Sequence, residues 1–217
     1  FLCLFMYISY SQSIGDSLHA IHYIIDIEDI NTETQTIKAN SNAIITPLEN
    51  DVNGIALELI NLSVDSVFVE GTQNSFSHEN GIIQIPLSTP INQDDTIEVK
   101  VYYHGQPFHE SWGGFHFSGD YAFNLGVGFE SIPHNLGKSW FACIDDFTDR
   151  ATYDVYATVA SDKKAVGGGV LMGTVDNGDG TTTWHWQLNQ EIPTYLASVS
   201  TGDYYLFSDL YYGIEDT

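Results

Sequence analysis

Histidine stands beside glutamate twice, at His78-Glu79 and His109-Glu110, as in the opening of a helical HExxH zinc motif. Ile82 and Gly113 occupy the places of the second histidine, and neither stretch carries a helical stripe, so neither is a metallopeptidase motif. His19 and His22 are three apart, a spacing that on a regular strand sends them to opposite faces and away from a shared ion. His104, His109 and His116 lie in one Gly- and aromatic-rich stretch, where either convergence on a metal or ordinary polar roles fit the pattern. Gly137-Lys138-Ser139 copies the end of a phosphate loop, but Ile132 stands where its first glycine belongs. Gly126-Val127-Gly128 begins a dinucleotide fingerprint that fails at Ser131. Asp176-Asn177-Gly178-Asp179-Gly180 alternates oxygen ligands like a calcium loop but lacks the closing glutamate, and reads as a hairpin turn. No Gly-x-Ser-x-Gly elbow is present. Cys143 neighbours Asp145 and Asp146, whose charges oppose a thiolate, so it is expected to be a small buried hydrophobe.

The elements that carry these residues repeat with period two. In Thr96–Tyr103, Ile97, Val99, Val101 and Tyr103 fall on one face, and Thr96, Glu98, Lys100 and Tyr102 on the other. Similar runs span Ile55–Leu62, Ser66–Val69, Ile82–Leu87, Thr152–Val159, Thr183–Leu188 and Tyr195–Val199, with Gly, Asn, Asp and Pro between them. Glu79-Asn80-Gly81, like Asp176–Gly180, supplies residues that tolerate positive φ where the chain must reverse. The expectation is an all-β fold, mostly antiparallel sheets forming a saddle-like sandwich, with no repeat and no linker that divides the chain.

The chain has 217 residues, with 29 Asp and Glu against six Lys and Arg, a net charge of −23. Arg150 is the only arginine, so no basic patch can form to hold a phosphate backbone or an anionic lipid surface, and nucleic acid is excluded as a partner. Phe1–Tyr10 is an uncharged apolar run followed by Ser11-Gln12-Ser13, with small residues where a cleavage site after Ser13 needs them. Residues 1–13 read as a truncated signal peptide, with a core strand as the alternative, and the product is expected to be secreted or periplasmic, with no membrane insertion once the signal is cleaved. Cys3 would leave with that segment, so Cys143 alone would remain and no internal disulfide could form.

Trp140-Phe141-Ala142-Cys143-Ile144-Asp145-Asp146-Phe147-Thr148-Asp149-Arg150-Ala151-Thr152-Tyr153 resembles the Phe-Pro-Cys-x-Asp-Glu-Pro segment of the aminopeptidase N family and the basic residue and Ala-Thr-Phe that follow it. Thr194-Tyr195-Leu196 with Gly202-Asp203-Tyr204 is similar to a second block near the end of that family's first domain. Val101–Gly105 and Gly113-Gly114-Phe115 resemble its strand ending in Tyr-x-Gly and the Gly-Phe-Tyr turn after it. Ala142 replaces the usual proline, Asp146-Phe147 replaces Glu-Pro, and about three residues, including Pro133-His134-Asn135, are inserted before Lys138.

The resemblance implies an amino-terminal β-domain over residues 14–217 that closes the substrate cavity of a zinc aminopeptidase (gluzincin). Its partners would be its own downstream catalytic domain and the amino terminus of a peptide substrate. It further implies that Glu130 contacts the substrate's free amine. A capping or surface role is the other reading of Glu130. The zinc helix, the Gly-x-Met-Glu-Asn strand and the oxyanion-stabilising tyrosine of the family do not occur in these residues. Zinc is therefore expected in a catalytic domain outside this chain, and the fragment alone is expected to be inactive. An exported carbohydrate- or protein-binding sandwich, with Trp112, Trp140, Trp184 and Trp186 as candidate platforms, is the competing reading. On that strand Trp184 and Trp186 share one face, expected to point inward, with His185 on the other.

Overall fold

The computed structural model describes residues 17–207, 209–210 and 213. The proposed signal segment lies outside them. The first strands are β1 (Leu18–Asn31), β2 (Thr36–Pro47), β3 (Val52–Glu58), β4 (Ser63–Val69) and β5 (Thr72–Asn74). Next come β6 (Ser77–Glu79), β7 (Ile82–Ile91), β8 (Ile97–Gly105), β9 (Gly114–Ser118) and β10 (Tyr121–Leu125). The last are β11 (Ala151–Ala160), β12 (Lys164–Gly167), β13 (Val170–Asp176), β14 (Thr181–Ile192) and β15 (Val199–Gly202). They form an eight-stranded sheet ordered β13-β14-β11-β1-β2-β8-β4-β5, a four-stranded sheet β12-β15-β10-β9 and a three-stranded sheet β3-β7-β6.

All strand pairs among these residues are antiparallel except β1 with β11, which is parallel with Tyr23 opposite Tyr153 and Ile25 opposite Val155. The all-β, mostly antiparallel expectation therefore holds. β8 follows its alternation, with Ile97, Val99, Val101 and Tyr103 buried. The inward residues of the large sheet meet Ile55, Leu57, Ile83 and Ile85 of the three-stranded sheet and Ala122, Ala165 and Val199 of the four-stranded one in one apolar core. Asn80 and Gly81 take φ of 53° and 77°, closing the β6–β7 hairpin, and the segment from Asp176 to Gly180 closes β13–β14.

Three details depart from the sequence reading. The run Ile55–Leu62 ends as a strand at Glu58, because the Leu59 and Ile60 amides turn to the carbonyls of Gly81 and Lys138. Tyr195–Val199 is not one strand: Thr194–Leu196 is a short 3-10 turn, closed by bonds from Leu196 to Pro193 and from Ala197 to Thr194, and β15 begins at Val199. The buried Thr194 hydroxyl is drawn inward to Asp145, which favours the turn over extension. In β1 a bulge between Ala20 and His22 leaves Ile21 exposed and resets the alternation, so His19 and His22 both face outward. Their three-residue spacing thus does not separate them. Asp149 takes His19 at 2.5 Å, whereas His22 bonds Thr152 and Asp154.

The centre of the core is aromatic. Tyr23 stacks on Tyr153 at 5.5 Å, meets the edge of Phe141 at 5.4 Å, and its hydroxyl accepts the Ile144 amide at 2.9 Å. Tyr23→Phe keeps both ring contacts and strands a buried N–H, so its urea midpoint is expected to fall by the equivalent of about 1–3 kcal/mol. An unchanged midpoint would remove the hydroxyl from the account of how residues 141–145 are held.

Candidate substrate-contacting loop

Glu130 sits on the outer bend of a loop between β10 and the 3-10 turn Gly137–Ser139. An antiparallel bridge between Val127 and Asn135 closes the base of this loop, with the Gly128 amide on the His134 carbonyl and the Leu136 amide on the Gly126 carbonyl. The inserted Pro133-His134-Asn135 is the loop's returning arm, and the Ile132–Pro133 peptide is cis. Two glycines have a packing reason that the abandoned dinucleotide motif could not supply. A Cβ on Gly126 would lie 1.8 Å from the Tyr195 carbonyl oxygen, and one on Gly128 would lie 2.6 Å from Glu110 Oε1.

Below the bend, Glu110 fills the concavity made by three successive backbone amides. Its Oε1 accepts the amides of Phe129 and, at 2.9 Å, Glu130, and its Oε2 accepts the Ser131 amide at 2.8 Å and the Ser131 hydroxyl at 2.6 Å. The Ser131 hydroxyl first, and then the backbone amides, hold this carboxyl down at about 2. These bonds favour the anion, so the clasp is complete above the ordinary carboxylate range and is lost only as pH falls toward 2.

Glu130 itself is exposed and accepts one hydrogen bond, from the hydroxyl of Ser111. Beside this pair, Trp112 and Phe129 stack at 6.0 Å with 52% and 71% of their surfaces exposed. The histidines of this stretch do not converge. His104 pairs with Asp65, whereas His109 and His116 lie ring to ring at 5.3 Å, with His116 Nε2 on the carbonyls of Trp112 and Gly113. Among the described residues no three His, Cys, Asp or Glu side chains come together to hold a metal, and no helix is long and apolar enough to cross a membrane.

The loop is anchored on a buried ionic cluster. Lys138 Nζ lies 2.8 Å from Glu58 and 3.7 Å from Asp145, Asp145 accepts the Thr194 hydroxyl at 2.5 Å, and the Asn135 amide side chain donates to the Asp145 carbonyl. Burial opposes the charge on Lys138, but Asp145 and Glu58 outweigh it and the ammonium is held above its ordinary range. Burial also raises the Glu58 carboxyl, against the pull of Lys138. Cys143, alongside, is buried and free, and desolvation first, then Asp145 and Glu58, push its thiol well up. It is the inert small side chain that its acidic neighbours implied.

Sequence reasoning missed Glu110 as anything but a failed zinc motif. The signal lay in its partner segment, since Gly128 to Ser131 offers consecutive amides and a hydroxyl with no strand to receive them. Trp140 is fully buried, and the Trp186 indole donates to the Ala165 carbonyl while Trp184 packs on the core, with His185 turned outward to Asp154. Trp112 alone of the four candidate platform residues faces solvent freely.

These features define an all-β domain that presents one exposed carboxylate on a braced loop. The chain belongs to the peptidase M1 N-terminal domain family, whose model matches residues 19–196. Leucine aminopeptidase 2 of Vanderwaltozyma polyspora is 25% identical over 170 residues, covering 73% of this chain and 25% of that protein. The M1 zinc metallopeptidase of Deinococcus radiodurans superposes with a TM-score of 0.79 at 20% identity, over 88% of this chain and 45% of its own. A mutant of the same enzyme bound to a Tyr-Ser-Ala substrate gives 0.79 at 19% identity, over 88% and 46%. This chain thus spans less than half the length of the relatives it matches, and its fold is that of the first domain of M1 aminopeptidases.

Lys138→Met leaves Glu58 and Asp145 facing each other without a cation, and chemical denaturation is expected to register a loss of about 3–5 kcal/mol. Lys163→Met, at the exposed pair with Asp120, should leave the midpoint almost unchanged. Equal effects at the two sites would dismiss the cluster as an anchor.

Proposed function

We propose that this chain is the amino-terminal, substrate-cavity-closing domain of a secreted zinc aminopeptidase that removes amino-terminal residues from peptides, and that Glu130 contacts the substrate's free amine. The observation that carries the reading is the exposed Glu130 carboxylate, held on a braced loop of a domain of this family. A carboxylate that keeps free lone pairs can accept charge-assisted hydrogen bonds from an α-ammonium group, and a blocked amine loses them. In a cavity closed by a second domain, water is excluded and such a bond strengthens, which is how an exopeptidase recognises a chain end. The Deinococcus relative holding Tyr-Ser-Ala supports a peptide as the ligand class.

Zinc, bound by a catalytic segment outside this chain, would polarise the attacking water, with a glutamate there as general base. The residues described here supply no ligand set for it. Their work is binding and enclosure, so the chain alone should not hydrolyse aminoacyl anilides. Export rests on the apolar run Phe1–Tyr10 and the small residues before Ile14.

The first test is to read the coding frame about 200 residues beyond Thr217, the length of a typical further domain. HExxH with a glutamate about twenty residues on is expected; a stop codon or a frame without those ligands withdraws the enzyme reading. In the complete peptidase, Glu130→Ala is expected to lower kcat/KM for aminoacyl anilides about ten- to a hundredfold, the worth of one hydrogen bond to a charged group.

A further inference from the structure

Two carboxylates meet in the loop, and they are in opposite states of use. Glu110 accepts four hydrogen bonds on its two oxygens, which fills the roughly four lone-pair sites a carboxylate offers. Glu130 accepts one, from Ser111, and keeps the rest of its capacity toward solvent. The saturated group cannot bind a ligand, whereas the open one can.

The arrangement also joins them mechanically. Glu110 grips the backbone on both sides of Glu130, while the next residue, Ser111, holds the Glu130 side chain. Between the Gly128–His134 bond and the tip no strand pairing constrains residues 129–133. Their three leading amides are ordered by Glu110 instead. Gly128 allows that carboxylate to reach the bend, since any side chain there would collide with it.

We propose that Glu110 is a positioning residue, whose carboxylate fixes the backbone of residues 129–131 and, with Ser111, sets the direction in which Glu130 meets a substrate's ammonium group. The inference rests on the assignment of Glu130 to the amine. Its geometric half stands on the hydrogen bonds alone. Because the Glu110 carboxyl stays ionised down to about pH 2, the bend keeps its shape through the ordinary carboxylate range.

The test uses the 217-residue chain, titrated with L-alaninamide and with N-acetyl-alaninamide while backbone amide and carboxyl resonances are followed by NMR. The unmodified chain is expected to bind the free amine only. Glu110→Gln keeps the side chain's size but places an NH2 against N–H donors, and is expected to weaken alaninamide about tenfold, in line with the cost of small misplacements at a site. In that variant the amides of residues 129–131 should move toward random-coil positions while the β6–β7 hairpin keeps its shifts, and Glu110→Asp should restore part of the affinity. Glu79→Gln, at the remote hairpin, is the control expected to bind as the unmodified chain does. If Glu110→Gln fails to fold, Ser131→Ala removes a single donor and should give a smaller loss of the same kind.

Unchanged affinity and unchanged 129–131 shifts in Glu110→Gln would overturn the proposal. A loss shared by the whole chain's shifts, without rescue by aspartate, would also overturn it and leave Glu110 a stability residue. If even the unmodified chain shows no preference for the free amine, the assignment of Glu130 fails. The shifts of residues 129–131 still decide whether Glu110 orders the bend.

Discussion

One buried ammonium group organises the meeting of this domain's sheets. Lys138 stands between Glu58, at the end of a three-stranded-sheet strand, and Asp145, in the segment that runs into the central strand β11. An ion in this position is costly unless its charge and all its donors are answered, so each partner must arrive in one register. Asp145 is further bound to Thr194, and its carbonyl to Asn135, which brings two distant stretches of chain to the same point. The cluster fixes the base of the loop whose tip carries Glu130. Hydrophobic burial supplies most of the stabilisation of the core, and the ions decide how its pieces are aligned.

Much of the fold was legible because β8 and β11 alternate without interruption. β1 was not, although it lies near the middle of the large sheet. Two register shifts, at Ala20/His22 and Ile27/Asp29, break its period, and a two-residue template loses phase at each. The 194–196 turn failed for another reason: a buried side-chain bond to a residue 49 positions away outweighed local propensity. Motifs read against helical or nucleotide templates gave nothing, yet their residues proved structural. Gly126 and Gly128 allow close approach of backbone and carboxylate, and Lys138 is the core cation.

The loop divides its labour between groups that look alike in sequence. Glu110 and Glu130 are both acidic residues in Gly- and aromatic-rich surroundings, and only their partners distinguish them. One is consumed by backbone amides and the other is left available. Spacing along the chain carries no trace of this, since the two segments are brought together by β9, β10 and the bridge at Val127.

The parallel pairing of β1 with β11 has a consequence for synthesis on the ribosome. β1 finds β2 within a few residues, but its other edge waits for β11, which emerges some 120 residues later. At roughly 5–20 residues per second that is on the order of ten seconds. Throughout that interval the apolar edge bearing Tyr23, Ile25 and Ile27 lacks its neighbour, and nascent chains on adjacent ribosomes carry the same open template. The acidic residues spread along the chain, which bring the net charge of all 217 residues to −23, give such copies like charge, and that opposes their association.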